Sequence, residues 1–187
     1  MATLVPRVLA GEERAVRELF LLLTPSLLRV ARGVLGRDHP DVEDVVQDAL
    51  VRVLRALPSF RGEGGIRHFA CRIAVRATSD FVRRRRNQPF LSLDSEALEA
   101  TPVPDAAEAR RRKLLMELLL QEISENQAET LIMRAVLGYS IEEIAEATGA
   151  PMNTVRSRLR LSKDAIRRRV ESDPGMSELL KGGRGGR

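Results

Sequence analysis

The apolar residues of this chain recur at intervals of three and four over long stretches, which is the repeat of one helical face. The pattern runs through residues 12–35, 41–57 and 66–86, and it resumes after residue 108. Only 3% of the residues are aromatic, whereas the strands of β-sandwiches and barrels favour aromatic side chains. We therefore predict an all-α protein.

Prolines and glycines predict where these helices end. Pro25 is expected to bend or interrupt the first helix, Gly36 to end it, and Pro58 to stop the second. The spacing in the third helix predicts five buried residues: Ile66, Phe69, Ile73, Ala77 and Phe81.

Residues 88–107 contain three prolines and show no clear periodicity, which is typical of a linker. We predict two small helical domains, 8–87 and 108–171, joined by this flexible linker and followed by a flexible tail, 172–187. The linker is acidic, and one hypothesis is that it masks a basic surface of the free protein.

The second domain carries the signals of a helix-turn-helix. Ser140 and Glu143 form a capping box, Gly149 supplies the turn, and a further helix reaches about Val170. The start of the second helix of this motif enters the major groove of DNA. With Val155 and Leu159 buried, the outward face carries Asn153, Thr154, Arg156, Ser157 and Arg160, while Arg158, Lys163 and Arg167 are placed for phosphates.

Positive charge is concentrated in two segments. Residues 50–90 hold ten Arg and two acidic residues, and residues 150–170 hold six Arg, one Lys and one Asp. Two basic helices favour two contacts with nucleic acid. The alternative is that each is only a solvated helix face.

Asp44, Gln47 and Asp48 lie at helical spacing on a polar face of the second helix. An acidic face beside a basic helix does not suit DNA, and it favours a protein partner. The alternative is a solvated face whose acids interact with the helix dipole.

Enzyme chemistry finds little support. The chain has two histidines, His39 and His68, and one cysteine, Cys71, which do not make a zinc site. The sequence contains no phosphate-binding glycine loop, and it does not indicate a Ser/His/Asp grouping for nucleophilic catalysis. We expect neither enzyme activity, metal nor cofactor, and we expect Cys71 to be a core residue, with a redox role as the alternative.

No apolar stretch is long enough to span a membrane, so we expect a cytoplasmic protein without membrane insertion.

Three segments resemble the extracytoplasmic-function (ECF) group of bacterial RNA polymerase sigma factors. DVEDVVQDALVRVLRAL (41–57) resembles sigma region 2.2, and FRGEGGIRHFACRIAVRATSDFVRRRR (60–86) resembles regions 2.3 and 2.4. SENQAETLIMRAVLGYSIEEIAEATGAPMNTVRSRLR (124–160) resembles region 4. They occur in the order that the family has.

The resemblance implies a function in transcription initiation. Asp44, Gln47 and Asp48 would bind core RNA polymerase, and the helix from residue 152 would read the −35 promoter element as duplex. The first domain would capture the −10 element as a single strand, with a flipped base, through Phe60, Arg61, Arg67, Arg72, Arg76, Arg83 and Arg84. The resemblance also implies an anti-sigma factor as a partner.

Two other functions compete with this one. In the first, the chain is a helix-turn-helix regulator that binds duplex operators without polymerase, and its first half is a sensor or dimerisation domain. In the second, it is a sigma-like protein that binds polymerase but does not open DNA, because Phe69 is the only aromatic residue where the family has several.

Overall fold

The computed structural model describes residues 4–62, 65–86 and 122–172. These residues form α-helices and one short 3-10 helix, Leu57–Ser59, and they contain no strand, which confirms the predicted all-α class. The α-helices are α1 Leu4–Leu9, α2 Glu13–Leu35, α3 Val42–Ala56, α4 Gly65–Arg86, α5 Glu125–Ala135, α6 Ile141–Thr148 and α7 Met152–Ser172.

Helices α1–α4 form an N-terminal bundle in which α2, α3 and α4 pack against one another. Leu19, Leu23 and Leu27 of α2 are completely buried in its core, together with Val53 of α3. Pro25 lies within α2, which continues through it without a break. Pro25 cannot donate the hydrogen bond that the Leu21 carbonyl accepts in a regular helix, and water can reach this side of the helix because Leu21 is 79% exposed.

The periodicity did not predict α1, a helix of six residues. Its Leu4 and Val8, one helical turn apart, are both buried and join the core of the N-terminal bundle. The segment is too short to show a repeat, since one pair of apolar residues does not distinguish a helix from a loop.

The buried face of α4 was predicted only in part. Ile66 and Ala77 are buried, whereas Phe69, Ile73 and Phe81 are only partly buried. Buried positions of α4 that the spacing did not predict include Ala70, Cys71, Ala74, Val75 and Thr78. The reason is that α4 packs on α2 and α3 with one side and on α5 and α6 with another, so small residues lie where neighbouring helices approach closely.

Helices α5–α7 form a C-terminal bundle that contains the predicted helix-turn-helix. Ser140 accepts a hydrogen bond from the Glu143 amide at 3.1 Å, and the Glu143 carboxylate accepts one from the Ser140 amide at 2.7 Å. Gly149 ends α6 with φ of 67°, a left-handed conformation that suits glycine. Ile144 and Val155 are fully buried between α6 and α7, which confirms the motif.

The two bundles pack against each other through α4 and α5. Ala128 and Ile132 of α5 belong to the core of the N-terminal bundle, whereas Met133 of the same helix belongs to the core of the helix-turn-helix. Gly33 of α2 lies so close to Val136 that a Cβ atom on Gly33 would overlap the valine side chain.

The predicted linker lies outside the described residues, and so does nearly all of the predicted tail. The proposal that the acidic linker masks a basic surface of the free protein therefore stays a hypothesis.

Candidate nucleic-acid interface

Helix α7 presents the face that the sequence assigned to DNA. Val155 is completely buried against α6 and fixes the rotation of the helix. Thr154 and Arg158 are half-buried, and the other predicted side chains on this face are exposed: Asn153, Arg156, Ser157, Arg160, Lys163 and Arg167.

Asn153 and Arg156 contact each other at the start of α7. The Arg156 Nη1 donates a hydrogen bond to the Asn153 Oδ1 at 3.0 Å. Farther along, Ser162 is buried and its hydroxyl donates to the Arg158 carbonyl at 2.8 Å. Arginine and asparagine side chains at this end of the helix can make bidentate hydrogen bonds to guanine and adenine.

A second basic surface runs along α4. Arg67, Arg76 and Arg84 are exposed, while Arg72 and Arg83 are half-buried. The rings of Phe60 and Phe69 lie beside it with their centroids 5.1 Å apart. Exposed Arg61 follows Phe60, and Phe60, Arg61, Arg72 and Arg76 line one cavity together with Phe69. Arg67, Arg83 and Arg84, also predicted for the −10 element, do not line this cavity. Aromatic rings beside arginines are the groups that bind single-stranded DNA by stacking and by charge.

A cavity of about 400 Å³ opens between this surface and the C-terminal bundle. Phe60, Phe69, Arg72 and Arg76 line one side of it. Residues 146–149, at the end of α6, line the other side. The end of the helix-turn-helix's first helix thus lies directly across from the aromatic pair.

Glu129 of α5 is a residue that the sequence analysis did not identify. Its side chain is only 2% exposed, and both of its carboxylate oxygens contact arginines of α4. The Arg72 Nε donates to Oε1 at 3.1 Å, and the Arg76 Nη2 donates to Oε2 at 3.4 Å. One signal was available, because Glu129 precedes Met133 by one turn and so lies on the apolar side of its helix.

Tyr139 adds a second contact between the bundles. Its ring centroid lies 4.8 Å from that of His68, and its side chain also lies near the buried Cys71 thiol. Burial is the main cause that raises the pKa of Cys71, and burial also raises the pKa of Tyr139 above its ordinary value. Both groups are therefore neutral at physiological pH.

The chain matches known proteins over both bundles. Residues 19–88 match the family of sigma-70 region 2, and residues 113–166 match the family of sigma-70 region 4. The ECF RNA polymerase sigma-E factor of Escherichia coli strain K12 is 30% identical over 90% of this chain and 93% of its own. The corresponding Haemophilus influenzae factor is 29% identical over 90% and 94%.

The chain belongs to the ECF sigma factors of the sigma-70 family. A solved structure of CnrH in complex with the cytosolic domain of CnrY has the same fold, with a TM-score of 0.57 and 22% identity over 91% of this chain and 96% of that one. The match of α2–α4 to sigma region 2 does not favour the alternative in which the first half is a sensor domain of an operator-binding regulator.

The acidic-polar face of this sigma factor lies on α3. Asp44, Gln47 and Asp48 are all exposed. Asp48 contacts the Arg52 guanidinium at 2.9 Å, and Arg52 also donates to Asp80 of α4 at 2.7 Å. The hydrogen bond to Asp80 is the main cause that raises the pKa of Arg52. Asp44 and Gln47 are thus the members of this face most available to a partner.

Two further findings concern only the part of the sigma factor that the structure describes. Within residues 4–62, 65–86 and 122–172, no group of three or more His, Cys, Asp and Glu side chains is arranged to hold a metal ion. None of the helices in these ranges is both long and apolar enough to cross a membrane.

Proposed function

We propose that this sigma factor binds core RNA polymerase through α3 and directs it to promoters through α4 and α7. It provides recognition and binding energy, and the polymerase performs the bond-making chemistry. Since polymerase and chromosomal DNA are its proposed partners, its proposed location is the cytoplasm.

The observation that carries this proposal is that the two basic helices have different surroundings. Arg156 and Arg160 of α7 are exposed on a helix-turn-helix, which suits the major groove of duplex DNA. Arg72 and Arg76 of α4 lie beside the aromatic rings of Phe60 and Phe69, which suits an unpaired strand. A promoter opened near −10 and double-stranded near −35 offers both forms.

The polymerase-binding role of α3 is supported by its exposure and its charge. Asp44 and Gln47 are exposed on a helix whose opposite face, including Val45 and Val46, is buried. A surface of this kind can be changed without disturbing the core, and its negative charge keeps it away from DNA phosphates.

We also propose that a regulatory protein holds this sigma factor when its regulon is silent. Support comes from the solved structure of CnrH, which was determined in complex with the cytosolic domain of CnrY.

The test is transcription in vitro with purified bacterial core polymerase on genomic DNA fragments, with and without the sigma factor. We expect discrete transcripts only when both proteins are present. The variant Asp44→Arg with Gln47→Ala should lose polymerase binding and transcripts while remaining folded. As a control, Glu13→Arg reverses a charge at an exposed position of α2 and should behave like the wild type.

Two results would count against the proposal. Tight operator binding by the chain alone, without new transcripts, would indicate the helix-turn-helix regulator. Full polymerase affinity in the α3 variant would remove the role of Asp44 and Gln47.

A further inference from the structure

The contact between the two bundles engages part of the surface that the proposed function gives to the −10 strand, namely Arg72, Arg76 and the cavity beside Phe60 and Phe69. We propose that Glu129 occupies the place of a DNA phosphate on Arg72 and Arg76, so that the closed sigma factor cannot bind single-stranded −10 DNA. This inference rests on the proposed function of α4, and it names how that site is regulated.

The first argument is chemical. A carboxylate and a phosphate both accept paired hydrogen bonds from guanidinium groups. Both Glu129 oxygens are taken by α4 arginines, at 3.1 Å and 3.4 Å, and the side chain is 2% exposed. A strand phosphate and Glu129 therefore compete for the same donors.

The second argument is steric. Residues 146–149 form the wall of the cavity opposite Phe60 and Phe69. A base stacked on this aromatic pair would need the strand to pass between α4 and the end of α6. In the closed form, the end of α6 therefore blocks the path of the strand, and Glu129 occupies the arginines that would bind its phosphates.

The third argument is that the closed arrangement is held by several kinds of contact. Ala128 and Ile132 of α5 enter the core of the N-terminal bundle, and Tyr139 covers His68 and Cys71. Gly33 allows Val136 to approach α2 more closely than any larger residue would. Opening must break the ion pairs and expose apolar surface together.

Two substitutions weaken the closed form without touching an arginine of the DNA surface. Glu129→Gln removes the charge that holds Arg72 and Arg76. Gly33→Ala places a methyl group where Val136 packs, and it lies far along the chain from Glu129. Glu171→Gln removes the same charge as Glu129→Gln at an exposed position of α7, so it is the matched control.

The first readout is the affinity of the full chain for a fluorescent single-stranded oligonucleotide carrying the non-template −10 sequence, at fixed salt. When only an open fraction can bind, the apparent affinity falls by that fraction, and loosening the closed state restores it. We expect Glu129→Gln and Gly33→Ala each to tighten binding about tenfold. Glu171→Gln should remain close to the wild type.

The second readout uses the chain's single cysteine. Cys71 is fully buried and lies beneath Tyr139, so a thiol reagent should modify it slowly in the closed form. The two opening variants should react faster, and the −10 oligonucleotide should accelerate the reaction of the wild type by trapping the open form. Circular dichroism checks that each variant is folded.

The outcomes separate this inference from the proposed function. If both variants are folded but match Glu171→Gln in affinity and in Cys71 reactivity, the inference is wrong, even when transcription with core polymerase is intact. If the variants open by the Cys71 readout but neither binds the oligonucleotide nor supports transcription, the proposed role of α4 is wrong instead.

Discussion

The arginines of α4 and those of α7 differ in what they contact. Arg72 and Arg76 of α4 hold a buried carboxylate from the other bundle, whereas Arg156 of α7 contacts only exposed Asn153 of its own helix among the described residues. Both helices look alike in the sequence, as basic segments of similar charge density. A run of arginines therefore predicts that a helix binds an anion, but it does not predict which anion these arginines contact in the free protein.

Substitutions in α4 and in α7 are therefore expected to have different consequences. Substitution of Arg156 on α7 is expected to change DNA binding alone, because its hydrogen bond goes only to exposed Asn153 of the same helix. Substitution of Arg72 or Arg76 on α4 is expected to change DNA binding and stability together, because both side chains hold Glu129. Three substitutions test this difference.

The largest effect is expected for Arg72→Ala with Arg76→Ala. It leaves Glu129 buried without a cation, which costs about 3–5 kcal/mol in a fully buried pair. Because the two arginine side chains are 30% and 48% exposed, solvent screening reduces the expected loss of unfolding free energy to about 1–3 kcal/mol. Urea unfolding followed by circular dichroism measures it.

The matched control is Arg61→Ala with Arg67→Ala, which removes two exposed cations that do not contact Glu129. Its stability should change by less than about 0.5 kcal/mol. Equal losses in the two double variants would mean that Glu129 does not stabilise the closed form.

An intermediate effect, on DNA alone, is expected for Arg156→Ala. If Arg156 pairs with a base, its loss costs about 1–3 kcal/mol of discrimination at one position of the −35 element. Competition between matched and mutated −35 duplexes, bound to the holoenzyme, measures this, and the unfolding curve should not move. A loss that is uniform over all duplexes would identify a phosphate contact instead.

The smallest effect is expected for Lys163→Ala. A phosphate contact contributes about one unit to the salt dependence of duplex binding and nothing to sequence preference. Titrations at several salt concentrations should therefore show a shallower slope with unchanged specificity. A change in sequence preference would show that Lys163 reads bases.

The structure confirms the elements whose signals are local. The Ser140–Glu143 capping box, the left-handed Gly149 and the buried Val155 all lie within a short stretch, so the sequence alone predicts the helix-turn-helix. The ranges of α2, α3 and α4 follow from periodicity in the same way. The residue roles in binding DNA and polymerase stay predictions.

What the sequence did not predict depends on contacts between distant segments. Glu129 lies 57 residues after Arg72, and no local pattern specifies which helix will lie against α4. Phe69 and Ile73 are only partly buried because they line the cavity between the two bundles, which no local pattern predicts either. Pro25 was expected to bend or interrupt α2, and α2 is not interrupted there.

Helix α5 faces two cores, with Ile132 in one and Met133 in the other. The separation of the two bundles should therefore depend on temperature. Separating them hydrates apolar surface, so it carries a positive heat-capacity change. Cooling weakens hydrophobic association, and the population of separated bundles should therefore rise as temperature falls toward 0 °C. A promoter-binding protein built in this way would release its −10 surface more readily in the cold.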